Sequence, residues 1–248
     1  MLYHPTLDKL RILKFSGMCL ALEEQMQSLD ITQLSFEERL GLLVDREITE
    51  RDNRRLTSRL RQARLKQQAC LEDIDYQANR GLDKTLLLKL SDCQWVKKSL
   101  NILITGPTGV GKSWVACALA QKACREGYSA YYHRLTRLLQ ELPLARGDGS
   151  YVKLLARLAK TDVLVLDDWG LVKLNAEQRR DLLEILEDRH GSRATIITSQ
   201  LPLDQWHDII GDATLADAIM DRLVHNAYKI NLTGESMRKK QAKLTDKN

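Results

Sequence analysis

The sequence contains the segment Gly106-Pro107-Thr108-Gly109-Val110-Gly111-Lys112-Ser113, which matches the G-x-x-x-x-G-K-[ST] phosphate-binding pattern at every fixed position. The apolar run 100–105 before it predicts a buried strand, and the Ala- and Leu-rich run 114–125 after it predicts a helix. Glycines in such a turn bring backbone N–H groups onto phosphate oxygens at a helix N-terminus. We expect Lys112 to reach the β- and γ-phosphates of ATP and the Ser113 hydroxyl to bind Mg²⁺. An accidental Gly-rich turn would not explain the strand before the motif and the helix after it.

A second motif follows about fifty residues later, where Val163-Leu164-Val165-Leu166 ends in Asp167 and Asp168. Four apolar residues before two acids place carboxylates at the C-terminal end of a buried parallel strand, the edge at which α/β sheets bind ligands. Asp167 is predicted to hold the metal ion, and Asp168 to orient or deprotonate the attacking water. Glutamate is usual at the second position, so the shorter Asp168 predicts slow hydrolysis or an adjusted geometry. Taken alone, the two acids could also be a solvated strand end.

Composition limits the class of protein. A chain of 248 residues with 44% apolar content can form one α/β domain and a small accessory domain. Five cysteines without C-x-x-C spacing favour reduced thiols over disulfides or a zinc site. No apolar run approaches the ~18 residues that a membrane span requires, and the N-terminus lacks an uninterrupted hydrophobic segment. We therefore expect a cytoplasmic protein with no membrane partner.

The positive charge lies in two segments. Residues 51–68 carry seven basic side chains against Asp52, and residues 238–248 carry five against Asp246. These excesses of +6 and +4 leave −5 for the rest of a chain whose net charge is +5. Concentrated basic charge is typical of nucleic-acid binding, although a solvated helix face explains it equally well.

The N-terminal third is predicted to be helical. Ser35-Phe36-Glu37-Glu38 has the capping-box pattern that opens a helix. Its predicted apolar face includes Leu40, Leu43 and Val44 and continues at helical spacing with Leu56, Leu60 and Ala63. The arginines from Arg51 to Arg64 lie outside that stripe. We predict a helical DNA- or partner-binding domain at residues 1–80 and an ATPase domain at residues 81–248.

The rest of the chain alternates strand and helix, which predicts a parallel sheet with right-handed crossovers. Strands are expected near 100–105, 128–133, 162–167, 194–199 and 227–232. The second crossover, Leu135 to Lys160, is predicted to be a helical region interrupted by Pro143 and by Gly147-Asp148-Gly149. Its basic residues either line a surface for DNA or are solvated charges: Arg134, Arg137, Arg146 and Lys153.

The fourth strand ends in Thr198-Ser199-Gln200, beside the expected γ-phosphate. Asp221-Arg222-Leu223 closes a later helix, and Gly234-Glu235-Ser236-Met237-Arg238 follows the last strand. Together with the two earlier motifs, these segments resemble the helicase-loader clade of AAA+ ATPases, the IstB/DnaC-like family. Residues 34–64 and 71–76 look specifically like IstB, the helper ATPase of a bacterial insertion sequence. The resemblance covers nearly the whole chain.

The resemblance implies a P-loop AAA+ three-layer α/β fold with a five-stranded parallel sheet and a small all-helical N-terminal domain. Residues 234–248 are too few for the helical lid domain that many relatives carry. The resemblance further implies a homo-oligomer. In it, Arg222 is an arginine finger that acts in trans on the nucleotide of the neighbouring subunit, and Arg238 is a second sensor. Gln200 stands where the first sensor is commonly asparagine. The predicted nucleotide contacts are Gly106 to Ser113, Trp114, Ser199, Gln200 and Arg238, and the predicted metal ligands are Ser113 and Asp167.

The function implied is ATP-dependent assembly on duplex DNA, largely independent of sequence, which recruits and stimulates a transposase. Such a protein works in the bacterial cytoplasm in association with the nucleoid. A replicative helicase loader shares this core and differs in its partner. A monomeric P-loop kinase would leave Arg222 without a role, and an ATP-gated scaffold without hydrolysis is suggested only by Asp168 in place of glutamate.

Overall fold

The computed structural model describes residues 5–28, 31, 33–76 and 80–237. The predicted sensor Arg238 and the basic segment 238–248 lie outside the described residues. The chain forms two compact units, Met1–Ser58 and Arg59–Asn248. A functional boundary near residue 80 stays a prediction.

The N-terminal unit is helical, as the sequence predicts. It contains α1 (Pro5–Ile12), α2 (Ser16–Gln27) and the first part of the long helix α3 (Phe36–Ala63). The predicted capping box is formed, because the backbone N–H of Ser35 donates to Glu38 Oε2 at 2.8 Å and the N–H of Glu38 donates to Ser35 Oγ at 3.2 Å. A local sequence signal therefore fixes where α3 begins.

The predicted apolar face of α3 is wrong in its first turns only: Leu43, Leu56 and Leu60 are half-buried and Ala63 is buried, in line with the prediction. Leu40 and Val44 are 41% and 42% exposed, whereas Glu47 is 6% exposed. The Oε2 atom of Glu47 accepts the backbone N–H groups of Gly17 at 2.7 Å and Met18 at 3.2 Å. These N–H groups belong to the first turn of α2, which has no intrahelical acceptor for them. At Glu47, the need to satisfy that helix end outweighs the apolar spacing in determining which side of α3 is buried.

The second unit is built on a five-stranded parallel sheet with the order β2-β3-β4-β1-β5. The strands are β1 (Asn101–Thr105), β2 (Ala130–Arg134), β3 (Val163–Trp169), β4 (Ala194–Ser199) and β5 (Ala227–Asn231). The predicted strands and their parallel pairing are confirmed. The helices of this unit, besides the end of α3, are α4 (Lys84–Ser91), α5 (Gln94–Lys97), α6 (Lys112–Arg125), α7 (Leu135–Gly147), α8 (Tyr151–Lys160), α9 (Ala176–Arg189), α10 (Trp206–Ile210) and α11 (Ala213–Val224).

Helices cover both faces of the sheet. Leu103, Leu164 and Ile197 pack in one core cluster with buried residues of α7 to α11. The alternate strand residues point to the opposite face, where α6 packs. The fold therefore has three layers. Because β3, β4 and β1 are parallel neighbours, their C-terminal ends lie side by side at one edge of the sheet.

Pro143 does not interrupt the second crossover, contrary to the prediction. It lies inside α7, which ends at Gly147, and α8 begins at Tyr151. The predicted interruption at Gly147-Asp148-Gly149 is therefore confirmed. Proline removes one helical hydrogen bond, but Leu138, Leu139 and Leu142 of the same helix are buried in the core. Their packing outweighs the local preference. Across the described residues, none of the helices combines the length and the apolar character needed to cross a membrane.

Candidate functional site

The glycine-rich loop between β1 and α6 is closely surrounded. Gly106 has φ +143° and Gly109 has φ +88°, both in the region that favours glycine. A Cβ on Gly106 would lie 2.1 Å from the carbonyl oxygen of Leu232, and one on Gly109 would lie 2.2 Å from Ser236 Oγ. The N–H of Met237 donates to the Gly109 carbonyl at 2.9 Å. The segment after β5 therefore packs on this loop and leaves no room for a side chain at either position.

Lys112 lies at the N-terminus of α6 and is 7% exposed. Its Nζ donates to the carbonyl oxygens of Gly106 at 2.7 Å and Pro107 at 2.8 Å. The ammonium is thus held inside the curve of the loop, next to the helix N-terminus that favours anions. This is the place where phosphate oxygens would meet it.

Asp167 is the best-connected carboxylate of the site and is fully buried. Its Oδ1 accepts hydrogen bonds from Ser113 Oγ at 2.6 Å and Thr198 Oγ1 at 2.5 Å. Its Oδ2 accepts from the Tyr132 hydroxyl at 2.5 Å and lies 3.5 Å from Lys66 Nζ. Burial by itself would raise the pKa of Asp167, but these hydrogen bonds and the Lys66 ammonium hold that pKa below its usual value. Asp167 is therefore a carboxylate anion in a fixed orientation.

Asp168 is turned out of the regular strand. The pairing of β3 with β4 shifts between Leu166 and Trp169, so β3 has one residue more than its partner there. Asp168 has φ +65°, and its N–H donates to Thr198 Oγ1 at 3.1 Å. Its Oδ2 accepts a hydrogen bond from Arg134 Nε at 2.8 Å. In a regular strand two adjacent acids would point to opposite faces of the sheet, and the bulge changes the direction of Asp168 relative to Asp167.

The remaining side chains predicted to contact the nucleotide have different surroundings. Gln200 faces the loop, since its Oε1 accepts the Thr108 hydroxyl at 2.7 Å. Ser199 is fully buried, and its hydroxyl donates to the Trp169 carbonyl at 2.9 Å. Trp114 packs against the cluster around Cys117. Contacts of these side chains with a nucleotide stay predictions.

The donor set fits Mg²⁺. Magnesium is bound in nucleotide sites through one or two carboxylates together with phosphate oxygens and waters. Asp167 supplies one carboxylate and Ser113 a hydroxyl oxygen beside it. The part of the chain that the structure describes contains no cluster of three or more His, Cys, Asp or Glu side chains that could hold a metal alone. With one carboxylate and one hydroxyl from the protein, Mg²⁺ at this place would take its other ligands from phosphate oxygens and waters.

Arg222 lies at the other end of the sheet. Asn101, the first residue of β1, donates its side-chain amide to the carbonyl oxygens of Arg222 at 3.0 Å and Leu223 at 3.2 Å. The glycine-rich loop follows Thr105, the last residue of the same strand, about 13 Å away at the usual rise per residue. The guanidinium of Arg222 is hydrogen-bonded to Glu187 and to the Ala218 carbonyl. Arg222 is therefore not brought together with Lys112, Asp167 and Asp168.

Sequence reasoning missed Thr198, Tyr132 and Lys66 as functional residues, although all three contact Asp167. Thr198 lies in the segment Thr198-Ser199-Gln200, of which only the last two residues were predicted to contact the nucleotide. A signal for Tyr132 was present, because β2 pairs with β3 and the polar end of a neighbouring strand lies beside Asp167. Nothing local signals Lys66, which is 101 residues from Asp167 in the chain.

The sequence matches the family described as IstB-like ATP binding protein over residues 8–245. An insertion sequence ATP-binding protein of Sinorhizobium fredii is 54% identical over 97% of this chain and 98% of its own length. The ATP-binding protein named for insertion sequence IS21 of Pseudomonas aeruginosa is 32% identical, over 92% of this chain and 86% of that protein. The similarity to these relatives thus extends over nearly the whole chain, far beyond the phosphate-binding loop.

Solved structures share the fold. The crystal structure of DnaI matches with a TM-score of 0.58 and 24% identity over 67% of this chain and 92% of that one. The replication initiator DnaA bound to AMPPCP and single-stranded DNA gives a TM-score of 0.56 at 16% identity, over 74% of this chain and 56% of that one. These likenesses establish the P-loop AAA+ fold of the second unit.

Proposed function

Since this chain belongs to the IstB-like ATP binding protein family, we propose that it is the helper ATPase of an insertion sequence, which assembles on duplex DNA and recruits and stimulates a transposase. The observation that carries the proposal is the meeting of Lys112, Asp167 and Asp168 at one edge of the sheet. The chain is an AAA+ ATPase that binds ATP and hydrolyses it to ADP and phosphate.

Different residues of the site bind the phosphates, hold the metal ion and activate the attacking water. The backbone N–H groups of the glycine-rich loop and Lys112 bind the β- and γ-phosphates. Ser113 and Asp167 hold Mg²⁺, which neutralises charge on the phosphate oxygens when it is bound. Asp168 orients the attacking water and accepts its proton. Gln200, whose side chain contacts Thr108 of the loop, is the proposed contact for the γ-phosphate.

Replacing Asp168 by Asn is expected to leave ATP binding intact and to lower the rate of hydrolysis by about 10²-fold or more, the usual contribution of a general base. Asparagine keeps the size of the side chain and its hydrogen bond to Arg134 but cannot accept the proton. Phosphate release and binding of a fluorescent ATP analogue should be measured on the same sample. Hydrolysis at the wild-type rate would show that another group is the base. An equal loss of binding would assign Asp168 to the nucleotide site and not to the chemical step.

We propose that the active protein is a homo-oligomer in which Arg222 acts in trans. The position of Arg222 at the amino end of β1 supports this, because its side chain cannot reach the nucleotide of its own subunit from there. The Arg222 side chain is 26% exposed, and its guanidinium is held by Glu187 of α9 and by the Ala218 carbonyl of α11. A neighbouring subunit that presents its nucleotide to this surface would complete its site with Arg222.

We propose that the oligomer assembles on duplex DNA. Within residues 1–80, the basic segment 51–68 is the proposed DNA contact. Arg55 is 67% exposed and pairs only loosely with Asp52, at 3.5 Å. Arg54 is 48% exposed, and Arg61 is exposed as well. Arg59 differs, because its Nε donates to the carbonyl of Cys124 at 2.9 Å. Arg54, Arg55 and Arg61 can therefore exchange weak surface contacts for phosphates, while the side chain of Arg59 is already held by Cys124.

The triple replacement of Arg54, Arg55 and Arg61 by Ala is expected to weaken binding to all duplex sequences and to flatten the slope of log K against log salt by about 2–3 units, since each phosphate contact contributes ~0.9. The measurement is a salt titration on two unrelated duplexes. The matched control removes the same charge elsewhere, by Ala replacements at three exposed lysines: Lys97, Lys98 and Lys160. A slope that changes equally in both triples would reflect net charge alone. An unchanged slope in the arginine triple would direct the search to Arg134, Arg137, Arg146 and Lys153.

The proposed partner is the transposase of the same insertion sequence, acting in the bacterial cytoplasm at the nucleoid. The replicative helicase loader is the second candidate, because DnaI and the DnaC helicase loader share the fold. The DnaC structure has a TM-score of 0.50 at 22% identity over 60% of this chain and 88% of its own, and at that identity the likeness extends to fold alone. Co-purification with purified transposase and with a purified replicative helicase, each with ATP and duplex DNA, distinguishes the two. Retention of the helicase alone would overturn the transposition role.

A further inference from the structure

The segment that follows α3 is fixed against the ATPase core. The helix ends at Ala63, and Arg64 takes a left-handed conformation with φ +51°. Ala69 is fully buried against Cys117 and Ala118 of α6, with Leu65, Leu71, Trp114 and Tyr132 packed around them. The backbone on both sides of Lys66 is therefore held, and the position of its side chain follows from packing.

Lys66 points at the metal carboxylate. Its Nζ lies 3.5 Å from Oδ2 of Asp167, and the two side chains are 35% and 0% exposed. The two carboxylate oxygens have different surroundings: the hydroxyls of Ser113 and Thr198 contact Oδ1, whereas Lys66 and the Tyr132 hydroxyl contact Oδ2. Lys66 thus approaches Asp167 from the side away from the predicted metal ligand Ser113.

A fully buried carboxylate is costly unless positive charge and hydrogen bonds compensate it. Lys66 supplies positive charge, and its partial exposure lets the ammonium withdraw into solvent when another cation arrives. A lysine ammonium is a compact charge on a flexible stem, which suits such a movement. Tyr132 is different, because burial and the hydrogen bond to Asp167 raise the pKa of its hydroxyl, which therefore remains a neutral donor.

We propose that Lys66 is a built-in counter-cation of Asp167, which neutralises this carboxylate while no divalent cation is bound and competes electrostatically with Mg²⁺ for it. Lys66 is thus a positioning residue that tunes the metal requirement of nucleotide binding. The inference rests on the proposed Mg²⁺ site and is independent of DNA and transposase.

The test replaces Lys66 by Met, which keeps the length and apolar stem of the side chain and removes the charge. Two opposite effects are expected. Without nucleotide, the melting temperature should fall by about 1–3 °C, because the buried carboxylate loses a charge partner. The Mg²⁺ preference, defined as the ratio of the dissociation constants of a fluorescent ATP analogue in EDTA and in Mg²⁺, should rise about 2- to 5-fold, because the competing cation is gone.

A purely structural role for Lys66 predicts the lower melting temperature with an unchanged or smaller Mg²⁺ preference, and that result would overturn the inference. Lys66→Arg keeps the charge and should restore the wild-type preference, while Lys97→Met is the matched control on a surface away from the site. If Lys66→Met does not fold, Lys66→Gln gives the same charge change with a polar side chain. A wild-type protein whose nucleotide affinity is indifferent to Mg²⁺ would instead refute the metal assignment of Ser113 and Asp167.

Discussion

Replacing Lys112 by Ala is expected to weaken ATP binding by at least about 10²-fold and to reduce hydrolysis below detection. Lys112 is 7% exposed and held by two carbonyl groups at the glycine-rich loop, so no neighbouring cation can move into its place without rebuilding the loop. A hydrogen bond to a charged group contributes up to about 3 kcal/mol, which corresponds to roughly 10²-fold in affinity. Equilibrium binding of a fluorescent ATP analogue and phosphate release measure the two effects.

The control for this replacement lies in the same helix. Lys122 is in the last turn of α6, where it pairs with Glu126 at 2.6 Å. Lys122→Ala should retain ATP binding, which separates the loss of a phosphate ligand from general damage to α6. Nucleotide-dependent assembly, followed by light scattering, should disappear in Lys112→Ala and persist in Asp168→Asn, because only the second variant still binds ATP. Near-normal affinity in Lys112→Ala would contradict the phosphate-binding assignment.

Replacing Arg222 by Ala is expected to lower kcat by ~10³-fold or more, the contribution that arginine fingers make to phosphoryl transfer, while ATP affinity stays close to that of the wild type. The reason is positional: Arg222 lies at the amino end of β1, and the phosphate loop follows the carboxyl end. Single-turnover hydrolysis with saturating ATP measures the chemical step. Arg222→Lys should recover little activity, since an ammonium lacks the planar fork of the guanidinium.

Mixing two impaired variants tests whether Arg222 works across a subunit boundary. Arg222→Ala keeps Asp168, and Asp168→Asn keeps Arg222. An interface is therefore complete when an Arg222→Ala subunit holds the nucleotide and an Asp168→Asn subunit supplies Arg222. The mixture should hydrolyse ATP faster than either variant does alone. Mixed oligomers can be verified by pulling down a tagged variant with its untagged partner. Verified mixed oligomers without activity would exclude the trans role of Arg222.

The fold was predictable because its signals are local. The phosphate motif fixes a strand, a turn and a helix within residues 100–125, and the alternation of apolar strands with helices predicts a parallel sheet. The capping box at Ser35 and Glu38 also formed as predicted, since both partners lie within one helical turn. The interruption at Pro143 and the burial of Leu40 and Val44 on α3 were mispredicted, because burial of leucines on α7 and of Glu47 on α3 outweighs local preference.

The residues that could be identified from sequence alone are those of the glycine-rich loop, Lys112, Ser113 and the acids Asp167 and Asp168, because their chemistry depends on fixed spacing along the chain. The residues that surround them could be identified only from the three-dimensional fold. Thr198 joins the two acids through the pairing of β4 with a bulged β3, and Lys66 reaches Asp167 because its segment packs on α6. Such contacts join residues that are 30 to 101 positions apart in the chain. They depend on strand register and packing, which no short window of sequence encodes.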